Sequence, residues 1–181
     1  MKKLTLIVIL ILIVIGADAR NLWAYLTYAT FNSPEGPYIE TYLSVDGSSV
    51  KFIKKDNGKF QASVNILFTF RQGKEIKAFR KYELNSQEET DTINLDKFII
   101  DEQRIQLPNG NYDFEIQISD KNKNLKPVPF TQSVTLDFPA DKPSLSGIQL
   151  IKSYKKSDAV TRITKSGFDL VPYVYTFFPK T

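Results

Sequence analysis

An antiparallel β-sandwich of the immunoglobulin or fibronectin kind is the fold class that three features of this 181-residue sequence predict. Apolar residues recur with a period of two, turn signals separate the alternating runs at near-regular intervals, and no stretch carries a convincing amphipathic helix period. Seven or eight short strands follow from this pattern, and a sandwich is favoured over a barrel. An incomplete second β domain is expected after the first.

Residues 1–19 stand apart from the fold. Lys2 and Lys3 precede an apolar run from Leu4 to Ile15 broken only by Thr5, and Ala17-Asp18-Ala19 offers small residues for cleavage. That is the pattern of a secretory signal peptide. The run is shorter than the roughly 20 apolar residues a membrane span needs, so an uncleaved anchor is the weaker alternative. Cleavage leaves a mature chain from Arg20 with no membrane insertion, and its expected location is the periplasm or cell envelope. The formal charge of +4 becomes +3, because Lys2, Lys3 and Asp18 leave with the peptide. The remaining lysines are dispersed over turns and no nucleic-acid module accompanies them, so nucleic acid is not an expected partner. Export permits disulfides, yet the chain has no cysteine. Its stability must come from apolar burial.

The strands follow in order over residues 20–138. Leu22 to Phe31 and Tyr38 to Val45 flank a turn containing Pro34, Gly36 and Pro37. Ser49 to Lys54 is expected to pair as a hairpin with the run from Phe60, across Asp56-Asn57-Gly58. In that run Phe60, Ala62, Val64, Ile66, Phe68 and Phe70 point one way, and Gln61, Ser63, Asn65, Leu67 and Thr69 the other. Ile76 to Leu84 follows Gly73, Thr92 to Leu95 follows a polar stretch, and Phe130 to Phe138 closes the series.

Between the last two lies "LPNGNYDFEIQISD", Leu107 to Asp120, led in by Ile105. Pro108-Asn109-Gly110 makes a turn. Tyr112, Phe114, Ile116 and Ile118 then face the core, while Asp113, Glu115, Gln117 and Ser119 face water. Tyr112 is the first inward residue after a turn, preceded by Leu107 and Gly110. Its position matches the tyrosine corner of immunoglobulin-like sandwiches, in which a buried ring returns its hydroxyl to backbone a few residues upstream. An ordinary core tyrosine is the alternative.

After Phe138 the texture changes. Residues 139–147 hold two prolines, a glycine and several small polar or charged residues, the composition of a linker. Residues 148–181 read as the start of a second β domain that is expected to be truncated. Its last segment, with Phe168, Tyr173, Tyr175, Phe177 and Phe178, is a candidate interface. So few strands cannot bury such a surface alone. It docks on the first domain, pairs with a partner, or belongs to a fragment, and the fragment is the leading expectation.

Much catalytic chemistry is excluded by composition. With neither histidine nor cysteine, there is no Ser-His-Asp triad, no Cys-His pair and no ordinary zinc site. Ser48 to Lys51 and Ser153 to Lys156 match Ser-x-x-Lys without the companion motifs of acyl-transfer enzymes. Glu88, Glu89 and Asp91 match no calcium-loop spacing. No catalytic residue, metal or cofactor is expected.

Three stretches, "YATFNSPEGPYIETYLSV" (Tyr28 to Val45), "LPNGNYDFEIQISD" and "GFDLVPYVYTFFP" (Gly167 to Pro179), together resemble the N-terminal portion of GWxTD domain-containing proteins of Bacteroidota. The resemblance implies an exported chain whose β-sandwich precedes a C-terminal domain. The name-giving motif is absent, since the one tryptophan is Trp23, so nothing of that domain's role carries over. Asp91-Thr92-Ile93 likewise resembles the Asp-(Ser/Thr)-aliphatic acceptor of O-linked glycosylation in exported Bacteroidota proteins, which makes Thr92 a candidate site. Two functions are expected in order. The first is a non-enzymatic envelope module that binds or positions an envelope protein partner. The second is a glycan-binding module that uses Trp23, Tyr25, Tyr38 or Tyr42 as an exposed platform.

Overall fold

The computed structural model describes residues 21–93, 97–127, 129–161 and 163–175. The proposed signal peptide and Phe177 and Phe178 lie outside the described residues. Within them the protein is all-β. Ten-residue β1 (Ala24–Ser33) and β2 (Gly36–Asp46) form a hairpin, and β7 (Phe98–Gln106) pairs antiparallel on the far side of β2. A second sheet runs in the order β6 (Glu75–Asn85), β5 (Ser63–Gln72), β8 (Gly110–Asp120), β9 (Phe130–Leu136), antiparallel throughout. The short strands β3 (Ile53–Lys54) and β4 (Phe60–Gln61) make a small hairpin at one end.

The two sheets close on each other as a sandwich because their inward rows are apolar. Ile39, Leu43 and Val45 of β2 and Ile99 and Ile105 of β7 meet Val64, Ile66, Phe68 and Phe70 of β5 and Tyr112, Phe114 and Ile116 of β8. At the centre the Phe70 and Phe114 rings stack 4.3 Å apart, and Phe68 meets Phe114 edge-on at 5.3 Å. Both arrangements suit the ring quadrupole.

Two strand expectations are corrected. Thr92 and Ile93 sit in a bend rather than a strand. The strand that matters there is β7, whose centre, Asp101-Glu102, interrupts the apolar alternation. The run from Phe60 divides at Ala62, where the backbone leaves β4. There Ser86 intervenes: its Oγ accepts from Ala62 N at 3.0 Å, and its N donates to Ala62 O at 2.9 Å.

Beyond Phe138, residues 139–147 form no strand, and their end, Ser146-Gly147, meets the edge of β1. Gly147 N donates to Thr30 O at 2.7 Å, and Asn32 N donates to Ser146 Oγ at 3.2 Å. A Cβ on Gly147 would stand 3.1 Å from Ala29 Cβ, Thr30 N and Thr30 O, so this approach tolerates no side chain without movement. The chain then builds a third, small sheet in the order β10 (Ile151–Lys156), β12 (Phe168–Pro172), β11 (Thr164–Lys165).

That third layer explains an anomaly in β2. Its residues Ile39 through Val45 are buried without interruption. One face of β2 serves the sandwich core. The other is covered by the C-terminal segment, and a strand covered on both sides loses its alternation of exposure.

Candidate functional site

Sheet alternation sets what the C-terminal segment covers. The outer row of β1 and β2 carries Tyr25, Ala29, Phe31, Tyr38, Glu40 and Tyr42, and that of β7 carries Phe98, Glu102 and Arg104. Over the apolar part sit Val174 and Tyr175. Val174 is buried with Ala29 and Tyr42, and Tyr175 meets Tyr25 edge-on at 4.9 Å and Phe98 at 6.0 Å. Tyr173 packs edge-on to Tyr175 at 5.5 Å. Of the aromatic residues proposed as an interface, Tyr173 and Tyr175 therefore pack within the protein, whereas Phe168 is 42% exposed beside Tyr154.

The polar part of the covered face is a charge cluster. Glu40 and Glu102 stand on neighbouring strands, and their residues are 1% and 6% exposed. Lys165 of β11 reaches down to both, its Nζ 2.6 Å from Glu40 Oε1 and 3.2 Å from Glu102 Oε1. It also donates to Gln149 Oε1 at 2.5 Å and lies 5.4 Å from the centre of the Tyr42 ring. Arg104 approaches from the rim, at 3.2 Å from Glu40 and 3.6 Å from Glu102. Even so, the Glu102 oxygens and the Tyr42 hydroxyl are buried without an aligned hydrogen bond.

Burying two carboxylates side by side disfavours ionising both. Desolvation, reinforced by Glu40, pushes the Glu102 carboxyl up to about 8. Burial works against Glu40 as well, but its contacts with Glu102, Lys165 and Arg104 outweigh that and hold it below the usual carboxylate range. Burial, together with Glu40 and Glu102, raises the Tyr42 hydroxyl and keeps it neutral. This cluster was not legible as a site. Glu40, Glu102, Arg104 and Lys165 look in sequence like the polar half of half-buried strands.

The C-terminal segment also carries several uncovered apolar residues. Leu145 is 96% exposed, Ile148 83%, Val160 93% and Tyr154 73%, and Ile151 and Phe168 are also exposed. Strand β10 is exposed along its whole length, has a free edge, and carries Lys152, Lys155 and Lys156 between these residues.

The remaining expected residues lie elsewhere. Tyr112 is buried, and its hydroxyl donates to Pro108 O at 2.7 Å, four residues upstream. Leu107 is buried beside it, and Gly110 opens β8 with φ +155°. Thr92 is exposed in the loop after β6, where Asp91 Oδ1 accepts from Ile93 N. Glu88 is engaged by Lys55 at 2.9 Å and Glu89 by Lys97 at 2.9 Å, so these carboxylates face lysines. Trp23, Tyr25, Tyr38 and Tyr42 do not make one platform. Tyr42 is 3% exposed beneath Lys165, Tyr38 stacks on Phe31, and Trp23 projects alone near Ser49. No family model matches the chain, and no curated protein or solved structure matches it.

Proposed function

We propose that the protein is a non-enzymatic β-sandwich module of the bacterial cell envelope that binds or positions a protein partner. The partner is an envelope protein, and it is engaged through the exposed apolar residues of the C-terminal segment. The observation that carries this reading is the set of uncovered apolar side chains from Leu145 to Phe168, on a segment that Val174 anchors to the sandwich. Exposed apolar side chains concentrated in one segment, with Tyr154 and Phe168 packed edge-on at 6.1 Å, mark an interaction site. The free edge of β10 offers unpaired backbone groups to an added strand. Its lysines select a partner segment that is apolar and flanked by acidic residues. Export rests on the pattern of residues 1–19. An immunoglobulin- or fibronectin-like reading of the sandwich is supported by the strand order and by Tyr112 at the start of β8, and the likeness to GWxTD domain-containing proteins rests on the three sequence stretches alone. Glycan binding is the weaker reading, because Tyr42 and Tyr25 are engaged by the C-terminal segment.

A photo-crosslinking side chain at Tyr154 tests the proposal in an envelope fraction, beside the same side chain at Phe79, which is 60% exposed on β6 of the sandwich. One discrete protein adduct is expected at 154 and none at 79. It should vanish with Ile151→Glu and weaken in high salt. Equal crosslinking at both positions, or none at 154, rejects this surface.

A further inference from the structure

The C-terminal segment meets the sandwich through a small apolar contact and a charge cluster, and the two have different chemistry. Val174 and Tyr175 over Ala29, Tyr42 and Tyr25 supply the apolar part. Beside it, docking takes Glu40 and Glu102 out of water and places one ammonium group between them. The groups facing Glu102 are Glu40, Tyr42 and Tyr38 from β2, Arg104 from its own strand β7, and Lys165 from β11. Gln149 completes the lid as an uncharged partner of Lys165.

We propose that this cluster is a proton-linked latch: the C-terminal segment closes over the β1–β2–β7 sheet with a proton held on the buried Glu40–Glu102 pair, and opens when that proton is lost. Two ionised carboxylates beneath the lid are served by Lys165 and, from the rim, by Arg104, and the Glu102 oxygens have no aligned donor to compensate their desolvation. One proton relieves both the repulsion and the desolvation. Lifting the lid returns Glu102 to water, where a carboxyl loses its proton near pH 4.5.

The sign follows from proton binding. Between about pH 4.5 and 8 the closed form holds a proton that the open form has released. Closure is therefore strongest at the acidic end and is lost as pH rises through that window. Tyr42 and Arg104 are both raised above their ordinary ranges, so neither titrates in this window or inverts the direction. Opening would expose Ala29, Tyr42, Glu40 and Glu102 together, a surface distinct from the exposed apolar residues of the C-terminal segment.

The absence of cysteine makes a direct test simple. A single Ala29→Cys substitution in the full chain places a thiol beneath Val174. Its rate of alkylation, divided by that of a separate chain carrying Thr135→Cys on the exposed side of β9, reports opening and cancels the thiol's own pH dependence. The ratio is expected to rise by roughly tenfold or more from pH 6 to 9. Adding Glu102→Gln should flatten the profile, since glutamine cannot ionise, and Lys165→Met should leave the thiol reactive at every pH. A ratio independent of pH in the parent, or a Glu102→Gln profile that keeps the parent's slope, overturns the latch. Hydrogen exchange in β5 and β8 distinguishes lid opening from general unfolding. Exchange there that accelerates in parallel with the thiol assigns the pH response to the core and also rejects the proposal.

Discussion

Tyr112 shows what one residue contributes when its ring and its hydroxyl serve different ends. The ring fills the core beside Leu107, while the hydroxyl donates to Pro108 O and ties the β7–β8 connection to the start of β8. Tyr112→Phe keeps the ring and orphans the carbonyl. We expect a loss of about 1 kcal/mol, the net value of one such bond, measured as a lower urea midpoint with an unchanged slope. No change in the midpoint would make the hydroxyl incidental. This residue was legible because the turn, the alternation and the tyrosine fall in one short window. The latch residues were not. Glu40 and Glu102 occupy outward positions of their strands, where an acidic side chain ordinarily meets water, and only the distant Lys165 buries them.

At the scale of elements, the same alternation predicts strands that serve one face and misreads those that serve two. β5 and β8 followed the period-two rule, and their inward rows are the buried ones. β7 escaped because Asp101 sits at an inward position. Its residue is 1% exposed, and Tyr82 of β6 donates to its Oδ2 at 2.6 Å. A buried acid with a dedicated donor costs less than its type suggests, so the strand survives a residue that breaks the pattern. Position within the sandwich also grades how much a phenylalanine matters. Phe114 lies between Phe68 and Phe70 at the centre of the second sheet, and Phe114→Ala should cost about 3–5 kcal/mol through lost burial and the cavity left behind. Phe79 is mostly exposed on edge strand β6, and Phe79→Ala should stay within about 0.5 kcal/mol of the parent. Urea unfolding of the two variants measures the contrast. Equal costs would contradict the placement of the core.

For the whole molecule, the sequence suggested a sandwich, a linker and an unfinished domain. In the structure the small C-terminal sheet lies over the outer face of β1–β2–β7. What composition could not convey is that the stretch read as a linker for its prolines and small polar residues ends on β1, where Asn32 N donates to Ser146 Oγ and Gly147 N donates to Thr30 O. Gly147 is the fixed point, since a Cβ there would stand 3.1 Å from Ala29 Cβ, Thr30 N and Thr30 O and force the backbone apart by a few tenths of an ångström. Gly147→Val should therefore push the segment off the β1 edge and weaken the hydrogen bond from Gly147 N to Thr30 O. It should leave the sandwich core intact, because none of the residues of that core lies beyond Leu136. The expected outcome is faster tryptic cleavage after Lys152, Lys155 and Lys156, together with a thermal midpoint for the sandwich close to that of the parent. The Lys165 contacts to Glu40 and Glu102 would loosen with it, so cleavage in this variant should also lose its dependence on pH. Cleavage at the parent's rate would mean that Val174 and Lys165 hold the layer without Gly147. A large fall in the sandwich midpoint would mean that the third layer and the sandwich unfold as one cooperative unit.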